Sequence, residues 1–313
     1  MSFALVFPGQ GSQSVGMLGP LAAAVSTVRG TFAEASDVLG YDLWKLVSEG
    51  PEEALNATER TQPAMLAAGV ATWRVWRECG GGEPAAVSGH SLGEFTALVC
   101  AQALEFAAAV ELVRFRGQLM QEAVPAGSGA MAAVLGLDDE AIVAVCREAA
   151  RGAVVEAVNF NSPGQVVIAG EAAAVQRALE AAKLRGARRT LVLPVSVPSH
   201  SSLMHAAGER LRPALAALPF QAPRVRYVSA VDACAHESPD DIRETLVRQL
   251  SSPVRWPQTL RALIATPVAQ VIECGPGRVL TGLNRRIERR PDLAFLSLDD
   301  QDSIAAALAA TRR

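Results

Sequence analysis

Aromatic side chains make up only 5% of this 313-residue sequence, so its core must be built mainly from Ala, Val and Leu. Cysteine is scarce too. The five that occur (Cys79, Cys100, Cys146, Cys234, Cys274) are odd in number and scattered, with no C-x-x-C spacing. That argues against a disulfide framework or a zinc site and fits a reducing cytoplasm, with each thiol read as a small buried hydrophobe. The four histidines form no H-E-x-x-H. His200 and His205 stand five apart, whereas pairs on one helix face stand three or four apart, so no metal centre is expected. No uninterrupted apolar run reaches the roughly 18 residues of a membrane span. Charge of one sign is missing as well: 29 basic residues face 32 acidic ones, a net −3 without a global field for nucleic acid. Neither nucleic acid nor membrane is therefore an expected partner. The start, Met1 to Phe7, has no basic n-region and breaks at Pro8-Gly9, so it reads as a buried strand and not a signal peptide.

What is present is ordinary globular composition, 50% hydrophobic and 19% charged. Strand-like apolar runs alternate with helical patterns, which predicts an α/β domain with a mostly parallel sheet. Between about 124 and 197 the order changes to β-α-β-β-α-β: strands near 131–137, 154–160, 165–169 and 190–195, with helices 138–150 and 172–184. That order is the ferredoxin-like split βαβ pattern. The expected organisation is thus a discontinuous large domain, 1–123 plus 198–313, with a ferredoxin-like small domain inserted at 124–197. The segment from Pro291 onward is expected to be peripheral.

The sharpest chemical signal is Gly89-His90-Ser91-Leu92-Gly93, a G-x-S-x-G between a short apolar strand and a helix. Flanking glycines permit a tight strand-to-helix turn that lifts the serine out of the sheet, and the helix start offers a main-chain N–H to an oxyanion. Ser91 is the nucleophile candidate and the Leu92 N–H the oxyanion donor. A serine hydroxyl needs a base. His90 lies inside the turn and is expected to point away, while His205 and His236 sit in polar, exposed-looking stretches. His200, in a polar turn after the strand leaving the small domain, falls where a cleft is expected. The residues alone leave it open between structural histidine and general base. No carboxylate between Ser91 and His200 occupies an obvious catalytic loop, and 113 residues follow His200. A plain α/β-hydrolase, with its Ser…Asp/Glu…His order, is disfavoured, and a serine hydrolase or thioesterase remains an alternative.

An ordered set of motifs carries a resemblance over nearly the whole chain. Phe7-Pro8-Gly9-Gln10-Gly11-Ser12-Gln13 comes first, then Gly89-His90-Ser91-Leu92-Gly93-Glu94 and Arg116-Gly117. Asn159-Phe160-Asn161-Ser162-Pro163-Gly164-Gln165, Val197-Pro198-Ser199-His200, Arg248-Gln249-Leu250 and Gly275-Pro276-Gly277 follow. The sequence resembles bacterial malonyl-CoA:acyl-carrier-protein transacylases. The resemblance implies an α/β-hydrolase-like large domain and a ping-pong acyl transfer, with malonyl-CoA as substrate and no permanent cofactor. It implies a phosphopantetheinylated, acidic acyl carrier protein as partner. It further implies that Ser91 is acylated, that His200 is base and then acid, and that the Gln10 N–H joins that of Leu92. Two residues gain roles they would not otherwise have. Arg116, in composition a solvated helix residue, becomes the partner of the malonyl carboxylate. Gln249, alone a surface glutamine, marks the main-chain carbonyl that orients the histidine. Malonate decarboxylase malonyl transferases and trans-acting polyketide acyltransferases share this chemistry and stay as alternatives. For an acidic carrier, two basic clusters are candidate docking sites: Lys183, Arg185, Arg188 and Arg189, and Arg285, Arg286, Arg289 and Arg290.

Overall fold

A computed structural model describes residues 2–125, 127–195 and 197–312. Met1, at the expected first strand, lies outside them, as do Ala126 and Ser196 near the ends of the expected insertion. In chain order the strands are β1 (Phe3–Phe7), β2 (Ala86–Gly89), β3 (Gly129–Leu135), β4 (Val155–Ser162), β5 (Gln165–Glu171), β6 (Arg189–Val192), β7 (Arg226–Tyr227), β8 (Val254–Arg255), β9 (Gln270–Glu273) and β10 (Ala294–Ser297).

The first sheet is parallel throughout, in the order β10-β9-β1-β2-β7. Its central strands are buried at every position, as they must be when helices cover both faces. Alternation along β1 sorts the two sides. Phe3, Leu5 and Phe7 enter the larger core, with the helices Ser26–Leu39, Thr58–Glu78 and Phe106–Glu122. Ala4 and Val6 enter a smaller core against Trp256, Leu260 and Leu263. The C-terminal segment is not peripheral: β10 extends the sheet beside β9, and the helix Gln301–Thr311 buries Ile304 and Ala307.

The second sheet runs β6-β3-β5-β4-β8. The first four strands pair antiparallel, and Pro163-Gly164 reverses the chain between β4 and β5 as its composition predicts. The helices Asp139–Ala150 and Ala172–Leu184 cover one face, the former capped by the Asp138 carboxylate on the Ala141 N–H at 2.7 Å. The other face carries Met131, Ala133, Val167 and Ala169. The fifth strand was not anticipated. β8 comes from the return segment and pairs parallel with β4, so the second sheet is completed by chain distant in sequence. Two helices, Leu43–Glu49 and Glu52–Leu55, are also absent from the sequence reading, being too short for a clear 3.6-residue period. Among the described residues no helix is long and apolar enough to cross a membrane.

Candidate active site

Ser91 sits on the turn from β2 into the helix Gly93–Cys100, with φ at 53°. A left-handed conformation at a non-glycine residue costs about 1–3 kcal/mol and persists only where packing imposes it. Here the packing is very close. A Cβ on Gly89 would lie 1.8 Å from the Gly93 carbonyl carbon, and one on Gly93 would lie 2.1 Å from the Phe7 oxygen. The turn therefore fits only because both positions lack a side chain.

His200 also has a positive φ, 67°, and is only 3% exposed. Its main-chain N–H donates to the Leu250 carbonyl at 2.9 Å. Its Nδ1 lies 2.9 Å from the Gln249 carbonyl oxygen and its Nε2 2.7 Å from Ser91 Oγ. A carbonyl can only accept, so the neutral ring carries its proton on Nδ1 and offers the Nε2 lone pair to the serine. Burial, then the nearby Arg116 charge, lowers the His200 pKa to about 3, which keeps the ring neutral and proton-accepting.

Arg116 projects from the helix Phe106–Glu122 and is 1% exposed. Its Nη1 donates to Gln62 Oε1 and its Nη2 to Gln249 Oε1, each at 2.9 Å, while Nη2 stands 3.5 Å from Ser91 Oγ. The Phe95 ring lies beneath the guanidinium, 5.5 Å from its centroid. Burial lowers the Arg116 pKa to about 10, so it stays cationic at neutral pH. Among the described residues its Nε has no hydrogen-bond partner.

Ser91, Leu92, Gln10, Arg116 and His200 line one wall of a cavity of about 350 Å³, and Met131, Asn159 and Leu193 of the second-sheet region line the other. Gln10 belongs to the loop after β1. That loop is braced by Gly11 N–H on Gln13 Oε1 at 2.7 Å and by Gln13 Nε2 on Asn56 Oδ1 at 2.8 Å. The site is a serine with a poised base, main-chain donors nearby and a buried cation beside it: equipment for acyl transfer from a substrate that carries a negative charge. Among the described residues no group of three or more His, Cys, Asp or Glu could hold a metal ion.

The acyl transferase domain model matches residues 4–290. The chain belongs to the acyl transferase family. It is 55% identical to the malonyl CoA-acyl carrier protein transacylase of Escherichia coli K12, over 98% of both chains. An acyl carrier protein S-malonyltransferase structure from Vibrio cholerae superposes with a TM-score of 0.94 at 55% identity, covering 98% of this chain and 100% of that one. A malonyl-transacylase solved in complex with a type II polyketide acyl-carrier protein superposes at 0.97 with 54% identity, covering 99% and 100%.

The acyl transferase fold thus brings together all six residues picked from sequence: Ser91, Leu92, Gln10, Arg116, His200 and Gln249. Their local readings were less accurate. Arg116 and Gln249 are not solvated helix residues but are each 1% exposed, packed against one another beneath Ser91. Cys79 and Cys234 are exposed, not buried, whereas Cys100, Cys146 and Cys274 are buried. His205 is exposed as expected. His236 is half-buried, its Nε2 3.1 Å from Asp232 Oδ1. His90 lies 2.9 Å from Asn161 Oδ1 through Nε2 and rests on Trp256 with centroids 5.6 Å apart.

Sequence reasoning missed the polar groups behind the site. Glu94 is fully buried, bonded to the Tyr227 hydroxyl and to Gln249 Nε2. Burial raises its pKa, opposed by those two hydrogen bonds and by further ones from Ser229 and the Ala230 main chain. A carboxylate in the first turn of an otherwise apolar helix was the available signal.

Proposed function

We propose that this chain transfers the malonyl group from malonyl-CoA to the phosphopantetheine thiol of an acyl carrier protein, supplying fatty-acid synthesis. The observation that carries the reading is a buried, charged Arg116 with Nη2 3.5 Å from Ser91 Oγ. A planar guanidinium suits the far carboxylate of a malonyl thioester, whose reactive carbonyl must sit at the serine. An acetyl group would leave that cation without a partner. A hydrolase of uncharged esters would have no use for it.

In the first half-reaction His200 Nε2 takes the Ser91 proton as Oγ attacks the thioester carbonyl. The main-chain N–H groups of Gln10 and Leu92 receive the oxyanion, and CoA leaves as its sulfur is protonated from His200. In the second half the carrier thiol gives its proton to His200 and attacks the malonyl-serine; the acyl–Oγ bond then breaks and His200 returns the proton to Ser91 Oγ. The Gln249 carbonyl holds the imidazole in the right tautomer, the task a carboxylate performs in a hydrolase triad. Serine, histidine and arginine supply nucleophile, base and grip, so the reaction asks for no resident cofactor.

The fold is read as an α/β-hydrolase-like large domain, 1–123 and 198–313, with a ferredoxin-like domain at 124–197 that roofs the cleft. The strand order β6-β3-β5-β4 supports that reading. Of the two basic clusters, the first is the better carrier dock. Lys183, Arg188 and Arg189 are exposed, and β6 leads directly into Leu193-Pro194-Val195 at the cavity wall. In the second cluster Arg286 is held by Gln165 at 2.6 Å, Arg285 by the Phe295 carbonyl at 3.0 Å and Arg290 by Asp292 at 3.1 Å. A polyketide carrier is the second reading of the partner, favoured by the polyketide carrier bound to the 54% identical relative.

Intact-mass measurement after mixing with malonyl-CoA tests the chemistry. Wild type should gain one malonyl group and lose it to added holo carrier protein, and Ser91→Ala should gain none. An unmodified wild type would overturn the mechanism.

A further inference from the structure

Behind the catalytic groups lies a buried polar relay whose acidic end, Glu94, the reaction scheme above does not use. Glu94, Gln249 and Arg116 come from three helices, Gly93–Cys100, Pro239–Gln249 and Phe106–Glu122, and meet at the Gln249 amide. The Gln249 Nε2 donates to Glu94 Oε1 at 2.9 Å and to the Ser91 carbonyl at 3.0 Å. Its Oε1 accepts from Arg116 Nη2 at 2.9 Å. The other Glu94 oxygen accepts from the Tyr227 hydroxyl. Both carboxylate oxygens thus face donors.

An amide has two orientations of nearly equal shape, and only its neighbours choose between them. Here the choice is forced. Flipped, Gln249 would turn its NH2 toward a guanidinium that can only donate, and its oxygen toward a carboxylate and a carbonyl that can only accept. Glu94 therefore joins Arg116 and the Ser91 carbonyl in fixing which atom faces Arg116, although it makes no direct hydrogen bond to that residue. The arrangement also keeps the carboxylate one amide away from the guanidinium. A direct Glu94–Arg116 pair would cap the N–H edge that a carboxylated acyl group needs.

We propose that Glu94 is a positioning residue that locks the Gln249 amide, and through it Arg116, in the orientation that selects carboxylated acyl groups. The proposal rests on the malonyl-transfer reading above. Tyr227 pins Glu94, and the main chain of the same Gln249 holds His200, so one residue registers both the carboxylate grip and the base.

Glu94→Gln tests this, because the new side chain matches the old in shape but replaces the charge-assisted hydrogen bond to Gln249 Nε2 with a neutral one, loosening the amide that Arg116 and the Ser91 carbonyl also orient. Steady-state kcat and KM are measured with malonyl-CoA and with acetyl-CoA. The malonyl-over-acetyl ratio of kcat/KM should fall about tenfold, the order expected for one charge-assisted hydrogen bond, and the fall should lie in the malonyl-CoA KM. Tyr227→Phe, which leaves the Glu94 charge in place, should move the ratio the same way by less, and it decides the matter if Glu94→Gln does not fold. General loosening would slow both substrates alike and leave the ratio unmoved. If Glu94 served only to neutralise Arg116, its loss would tighten malonyl binding and raise the ratio. An unmoved or raised ratio overturns the proposal. Failure of wild type to form the malonyl-serine would instead overturn the function on which it rests.

Discussion

At the scale of single residues, the site works through the difference between what a side chain is in water and what it becomes when buried. His200 is drawn down to a pKa of about 3 by burial first and the Arg116 charge second. Removing that charge should raise it. With acetyl-CoA, which lacks a carboxylate for Arg116 to hold, the acid limb of kcat/KM should lie well below pH 6.5 in wild type and shift upward in Arg116→Ala. Coincident limbs would show that Arg116 does not act on the base. The linkage to stability follows with a definite sign. His200 is protonated in the unfolded chain below about pH 6.5 but stays neutral in the fold down to about 3, so stability falls as pH drops through that window. The residue scale was only partly legible. The Ser91 turn announces itself because G-x-S-x-G is local, whereas nothing local separates buried Arg116 from half-buried Arg114 two positions earlier in the same helix.

Among elements, the strand-turn-helix around Ser91 depends most on residues that are absent side chains. Gly93 approaches the Phe7 carbonyl so closely that a methyl group has nowhere to go, since the obstacle is backbone of the central strand. Gly93→Ala should cost about 1–3 kcal/mol of unfolding free energy in urea titrations and abolish acylation of Ser91. Gly30 provides the contrast. It is exposed in the helix Ser26–Leu39 with nothing near a prospective Cβ, so Gly30→Ala should stabilise by about 0.5–1 kcal/mol with activity intact. Equal effects at the two positions would refute the packing argument. Most of the longer helices were legible because their apolar period is set by neighbours in sequence, though Leu43–Glu49 and Gln301–Thr311 were not. The two-residue strand β8 has no period to read and exists only because β4 lies beside it.

On the scale of the whole molecule, the cavity is a property of two sheets meeting. Ser91 arrives from the parallel sheet, Met131 and Asn159 from the second, and the β4–β8 pairing ties the roof to the return segment. The surface leading to this cavity is basic and partly apolar. Leu191 and Val192 are 47% and 55% exposed on β6, beside Arg188 and Arg189. Reversing both arginines to glutamate should raise KM for the carrier protein several-fold while leaving that for malonyl-CoA nearly unchanged, measured by transfer kinetics at two salt concentrations. Equal effects on both substrates would place carrier docking elsewhere.

The sequence by itself determined the alternation of elements, the serine turn and, through ordered motifs, the family and its chemistry. These depend on spacing between near neighbours, which the chain carries whatever its surroundings. The tertiary structure alone decided that Arg116, Gln249 and Glu94 share one buried relay, that two of the five cysteines face solvent, and that the C-terminal strand completes the sheet. Burial, and the pKa and hydrogen-bond consequences it brings, is a sum over parts of the chain far apart in sequence; for Gln249 and Ser91 the separation is 158 residues.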